Sequence, residues 1–139
     1  MKESRGGGRL RLPRALADEL LAEARRQAPL ECCGLLGGHG ERVEAVFPAR
    51  NSLASPTAYE IAPAELFALF RRLRAENLEL VGIYHSHPTS DNSPSARDLE
   101  RATYPEAAYV IVSLVSEPAI RAFRIQGGKA GELRVELAG

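Results

Sequence analysis

The spacing of apolar positions along this chain changes period several times, and each change marks an element. From Pro13 to Gln27, Leu16, Leu20, Leu21 and Ala24 recur at helical intervals, and Pro13 suits a first turn because it has no N–H to leave unpaired. Two strands are expected next, Cys33 to Gly37 and Arg42 to Arg50, joined through the glycine-rich turn Gly37-Gly38-His39-Gly40. Tyr59 to Ala62 is rich enough in β-formers to predict a short strand. Pro63 to Glu76 then predicts an amphipathic helix that buries Leu66, Phe67, Phe70 and Leu73. Leu80-Val81-Gly82-Ile83-Tyr84 is an apolar run with the β-branched character of a buried strand, ending at His85. A short helix from Ser95 to Ala102 follows, then strands at Ala108 to Val115, Ala119 to Gln126 and Glu132 to Leu137. Helices interleaved with strands, and hairpins late in the chain, predict an α/β fold with a mixed sheet.

Composition narrows this picture. A chain of 139 residues is the size of one domain, long enough to bury roughly two-thirds of its unfolded surface. The polar, glycine-rich residues 1–8 read as a flexible tail, which leaves 9–139 as the domain. Lys+Arg and Asp+Glu both number 18, so no net field steers the protein to nucleic acid or an anionic membrane. The basic runs Arg25-Arg26 and Arg71-Arg72 with Arg74 fall on helices, where a solvated outer face explains them. No apolar stretch reaches the ~20 residues of a membrane span. The only cysteines, Cys32 and Cys33, are adjacent and would face opposite ways along a strand. Two buried thiols in a cytoplasmic protein is the expectation, with a nucleophilic role as the rival. His39 reads as a surface residue in a tight turn.

The candidate chemistry lies between His85 and Asp98. Side chains alternate along a strand, so His85 and His87 project the same way from its end and can share one ion. Pro88 ends the strand, and Ser86 between the ligands faces away in a supporting role. Ser95-Ala96-Arg97-Asp98 is by itself an ordinary helix start, with a capping hydroxyl and an acid at the third helical position. The same Asp98 can return a carboxylate to the two imidazoles, making three ligands and leaving a fourth zinc position open. A structural zinc site would need a fourth protein ligand, and Asp91, on a flexible loop, is the only nearby candidate. Upstream, Glu31 stands directly before a small, apolar, glycine-punctuated strand, Cys32-Cys33-Gly34-Leu35-Leu36-Gly37-Gly38. A solvated turn carboxylate explains an isolated Glu; beside a metal the same residue becomes a general base.

Glu31, then His85-Ser86-His87, seven residues, Ser95, two residues and Asp98 resembles the JAMM (MPN-plus) zinc metalloprotease signature at every position that it specifies. The likeness extends through the Glu31–Gly38 segment, Tyr59-Glu60-Ile61 and the helix that follows. The resemblance implies a single domain with a curved mixed β-sheet flanked by helices, of the cytidine-deaminase-like kind. It also implies one zinc per chain on His85, His87 and Asp98, with Glu31 and Ser95 as catalytic residues: Glu31 moves the proton and Ser95 stabilises the oxyanion. The chain has no room for the long insertions with which the family's deubiquitinases hold ubiquitin chains, and it resembles the short stand-alone members. For those the implied reaction is peptidase or isopeptidase cleavage after the C-terminal Gly-Gly of a small ubiquitin-like or sulfur-carrier protein, for example releasing cysteine. The alternative is a non-catalytic binding scaffold of the MPN-minus kind, whose members lack these ligands. The carrier, the released amine and the choice between monomer and homodimer stay open.

Overall fold

The computed structural model describes residues 8–139. Of the expected tail, only Gly8 falls among them, and its carbonyl already accepts a backbone bond from Arg134; the rest lies outside the described residues. The elements run β1 (Arg9–Pro13), α1 (Arg14–Gln27), β2 (Cys33–His39), β3 (Arg42–Ala49), α2 (Pro63–Ala75), β4 (Glu79–His87), α3 (Ala96–Arg101), β5 (Ala108–Ser113), β6 (Ile120–Gln126) and β7 (Lys129–Ala138). The strands are ordered β1-β3-β2-β4-β5-β6-β7 and close on themselves, because β7 also pairs with β1. The ladders of β4 with β5, β1 with β7 and β1 with β3 are parallel and the others antiparallel, so the sheet is mixed and curved as expected. Closure between β1 and β3 rests on one register pair, Arg11 with Arg42.

The alternation of β5 shows how the sheet divides the core. Val110 and Val112 pack with Leu10, Leu12, Leu20 and Ala24 beneath α1. Tyr109 and Ile111 turn the other way and join Leu35, Phe47, Leu69 and Leu73 beneath α2. All six residues of β5 are buried, as a strand covered on both faces must be. The turn between β2 and β3 places Gly40 at φ +62°, a conformation that costs glycine nothing.

Three expectations need correction. Arg9-Leu10-Arg11-Leu12 is a strand that local patterning did not single out, and Pro13 ends it as the N-cap of α1 instead of opening the helix. Residues 59–62 form no strand; hydrogen bonds from Asn51 and Ser52 hold this backbone in an irregular loop. In α2 the buried stripe is Leu69 and Leu73, with Leu66 and Phe70 partly covered, while Phe67 is 66% exposed beneath Arg71. Residues 66, 69, 70 and 73 share one helical face, and residue 67 falls outside it. Among the described residues no helix is long and apolar enough to cross a membrane.

One polar contact joins α1 to β4. Tyr84 Oη donates to Glu23 Oε1 at 2.6 Å, although Glu23 is only 5% exposed. Gly34 makes the approach feasible, because a Cβ there would lie 2.5 Å from the Tyr84 hydroxyl and the Phe47 carbonyl oxygen. Burial pushes the Glu23 carboxyl up from its ordinary value of 4.5, against the lowering effects of Tyr84 and Arg26. The folded chain thus holds this proton to higher pH than the unfolded chain, so the burial of Glu23 costs stability as pH rises from 4.5 through the raised value. Glu23→Gln keeps an acceptor for Tyr84 and removes the charge. Thermal melts should therefore show the variant gaining on wild type as pH rises above 4.5; a constant or shrinking difference would contradict the account.

Candidate metal centre

The pairing of β2 with β4 builds the site. Cys33 lies opposite His85, so Glu31, at the head of β2, is carried to the end of β4 where His85 and His87 project. Ser86 fixes the junction from the opposite face of β4: its Oγ accepts the Cys32 N–H at 2.8 Å and its N–H donates to the Cys32 carbonyl at 3.1 Å. Ser86 is fully buried within β4, so its supporting role is a cross-strand clamp and not a loop contact.

The two imidazoles converge as the strand period requires, with His85 Nε2 and His87 Nε2 3.2 Å apart. Asp98 closes the triangle, with Oδ1 3.2 Å from His85 Nε2 and Oδ2 3.1 Å from His87 Nε2. The same carboxylate completes a capping box: Ser95 Oγ accepts the Asp98 N–H at 3.0 Å, and Asp98 Oδ2 accepts the Ser95 N–H at 2.9 Å. The local helix-start signal therefore aims the acid at the histidines.

Hydrogen bonding decides which nitrogen of His87 is available. His87 Nδ1 donates to the Asp91 carbonyl at 2.6 Å, which leaves Nε2 facing the cluster with its lone pair. Asp91 contributes this backbone oxygen only; its own carboxylate accepts the Ser93 N–H and does not join the cluster. The loop is pinned by Ser113 Oγ on the Ser90 carbonyl and by the buried Asn92 amide on the carbonyls of Pro118 and Ala119, restraints that involve partners distant in sequence.

Electrostatics reflects crowding in a buried space. Burial lowers the His85 pKa, against opposing bonds from Asp98. Burial opposes protonation of His87 as well, but Asp98 and the Asp91 carbonyl outweigh it and raise the value. Burial alone would raise Asp98, yet the bonds from both histidines and the Ser95 N–H hold it well below the usual carboxylate range. Glu31 is pushed up to about 7, first by burial, with His87 and Arg97 opposing and Asp98 adding to the rise. Glu31 Oε1 and His85 Nδ1 are buried without a hydrogen-bond partner. The Cys32 and Cys33 thiols are pushed by burial to about 11 and about 12, which keeps them protonated and removes the nucleophilic alternative.

His85, His87 and Asp98 offer three ligand atoms within 4.8 Å of one another, a set of two imidazoles and one carboxylate that fits a divalent metal ion. Of the five residues expected to form the site, His85, His87 and Asp98 meet at this end of β4, Ser95 joins through its capping bonds to Asp98, and Glu31 lies within the electrostatic reach of His87 and Asp98. Two neighbours escaped sequence reasoning. Tyr59 stacks on His85 with ring centroids 4.5 Å apart, and Asn51 reaches the Glu31 carbonyl. Beside Asp98 a cleft opens between Tyr59, Ile61, Leu66, Arg97 and Tyr104. His39 is exposed at the end of β2, with Glu44 and the Asn77 carbonyl as partners, far along the strand from this cluster.

Comparison with known proteins agrees with this geometry. The chain is 40% identical over 112 residues to a desampylase of Haloferax volcanii, covering 76% of this chain and 81% of the relative. It is 36% identical over 127 residues to the CysO-cysteine peptidase of Mycobacterium bovis, covering 88% and 86%. A solution structure of a protein from Desulfitobacterium hafniense superposes with a TM-score of 0.83 at 32% identity, covering 93% of this chain and 92% of the other. Residues 13–126 match the family described as prokaryotic homologs of the JAB domain, and the chain belongs to that family.

Proposed function

We propose that the chain is a zinc-dependent peptidase or isopeptidase that hydrolyses the amide bond after the C-terminal Gly-Gly of a small ubiquitin-like or sulfur-carrier protein. The observation that carries this reading is the convergence of His85, His87 and Asp98, with the unpaired Glu31 carboxyl buried within their field. A non-catalytic scaffold has no use for three ligand side chains gathered with a buried, unpaired acid. The desampylase and CysO-cysteine peptidase relatives, by their names, act on conjugates of small carrier proteins, which supports the substrate class.

Zinc on these residues would supply Lewis-acid activation of water and of the scissile carbonyl. Glu31 then does the proton work. Its buried carboxyl, with Oε1 free of any hydrogen-bond partner, is available to take a proton from water and return it to the leaving amine. Ser95 Oγ spends a lone pair on the Asp98 N–H and keeps its own proton, which it donates to the carbonyl oxygen as negative charge builds there. Glu31 remains within the field of Arg97, which favours its ionised form before proton transfer. A tail without side chains suits a site hemmed by Tyr59, Glu31 and the 88–95 loop. Among the described residues the outer edge of β3 pairs with a strand only at Arg42, so its far end, next to Glu31, offers backbone groups to an extended tail.

Three measurements test the proposal. Dialysed wild-type protein should carry one zinc per chain, and His87→Ala or Asp98→Ala should abolish tight binding, because two ligands compete poorly with water; full occupancy in either variant would sink the assignment. Glu31→Gln should keep its zinc and lose turnover by roughly 10² or more; loss of zinc instead would make Glu31 a ligand. Carriers ending in Gly-Gly and extended by one cysteine should be trimmed at that bond, as read by mass spectrometry. Replacing the penultimate glycine with valine should then cut kcat/KM by at least ~10²-fold, and equal cleavage of both would point to a general peptidase.

A further inference from the structure

Glu31 is the acid on which the proposed reaction turns, yet its carboxylate Oε1 has no partner to hold it. Both hydrogen bonds to its backbone come from the loop between β3 and α2. The Glu31 N–H donates to the Ser55 carbonyl at 2.9 Å, and the Glu31 carbonyl accepts from Asn51 Nδ2 at 3.0 Å. The same Nδ2 donates to the Ala58 carbonyl at 2.9 Å, and Asn51 Oδ1 accepts the N–H groups of Leu53 at 3.0 Å and Glu60 at 3.2 Å. Two carbonyls and two N–H groups around one amide fix its orientation and use its full capacity of two donors and two lone pairs.

We propose that Asn51 is the positioning residue for Glu31: one side chain that closes the 51–60 loop and locks the backbone of the acid onto it. The closure has a second member, because Ser52 Oγ and the Ser52 N–H both reach the Glu60 carbonyl without touching Glu31. Tyr59 rides on the same loop and stacks on His85, so the loop meets the site at the acid and at one imidazole. Asn51 does not itself reach the cluster of ligands, and its effect on turnover runs through where Glu31 stands. A carboxylate without hydrogen bonds of its own moves with its backbone, and a misplacement of about 1 Å in a reacting group can cost 10²-fold in rate.

This inference rests on Glu31 as the proton carrier, and a double-mutant cycle separates the two ideas. With a Gly-Gly–cysteine carrier extension as probe, Asn51→Ala should keep its zinc and lower kcat by at least ~10-fold, with KM moving less than ~3-fold. Ser52→Ala, which loosens the same loop away from Glu31, should leave kcat within about twofold while lowering the melting temperature. In a Glu31→Gln background, Asn51→Ala should cost almost nothing more, because the group it positions is already disabled. Asn51→Asp keeps the acceptor for Leu53 and Glu60 and deletes both donor bonds, so it carries the same test if the alanine variant does not fold. Wild-type kcat in a folded, zinc-loaded Asn51 variant, or losses that multiply in the double variant, would overturn the positioning role. Undiminished turnover in Glu31→Gln alone would instead remove the function on which it rests.

Discussion

The antiparallel register of β2 on β4 is the constraint on which the rest of the site depends. With Cys33 opposite His85, the head of β2 has nowhere to go but beside His85 and His87. Because the side-chain period along a strand is two, a slip of one residue would turn His85 and His87 to the α1 side and bring Ser86 into their place. The Ser86–Cys32 clamp opposes that slip at the position where it would do most damage, and Gly34 opposes it one step further along by admitting only a residue without Cβ beneath Tyr84. The two core clusters then hold the pairing from above and below.

Much of this was legible in the chain because the informative signals are short-range. His-x-His at a strand end and Ser-x-x-Asp at a helix start are spacings that one element enforces alone, and both were read correctly as geometry. What escaped depends on partners distant in sequence. β1 is a five-residue alternation whose existence rests on parallel pairing with β7 at the other end of the chain. The Tyr59 segment has the composition of a strand, but the amide of Asn51 claims its backbone groups, so side-chain bonding overrode β-propensity. Phe67 is apolar but falls outside the face that Leu66, Leu69, Phe70 and Leu73 share, so residue type pointed inward where helical phase pointed out. Asp91 was weighed as a side chain, and its contribution is a carbonyl, which no residue type advertises.

The site also shows a division of labour between residues that fold and residues that act. The acting residues stand at the ends of β2, β4 and α3, where the chain leaves regular structure and polar groups can be fixed by caps and loop carbonyls. Burial of a polar cluster is costly unless its members satisfy one another. Here Asp98 answers both histidines and the Ser95 N–H at once, which leaves Glu31 Oε1 and His85 Nδ1 as the unpaired atoms.

The double employment of Asp98 has an evolutionary consequence. A helix cap accepts several residues at its third position, whereas a metal accepts few, so the two demands on this carboxylate differ in stringency. A descendant that exchanged Asp98 for a residue able to cap but not to bind metal would keep the cap of α3 but leave two buried histidines without the carboxylate that answers them. Chemistry and local stability are therefore tied together at this one position, and drift away from the acid is opposed twice over.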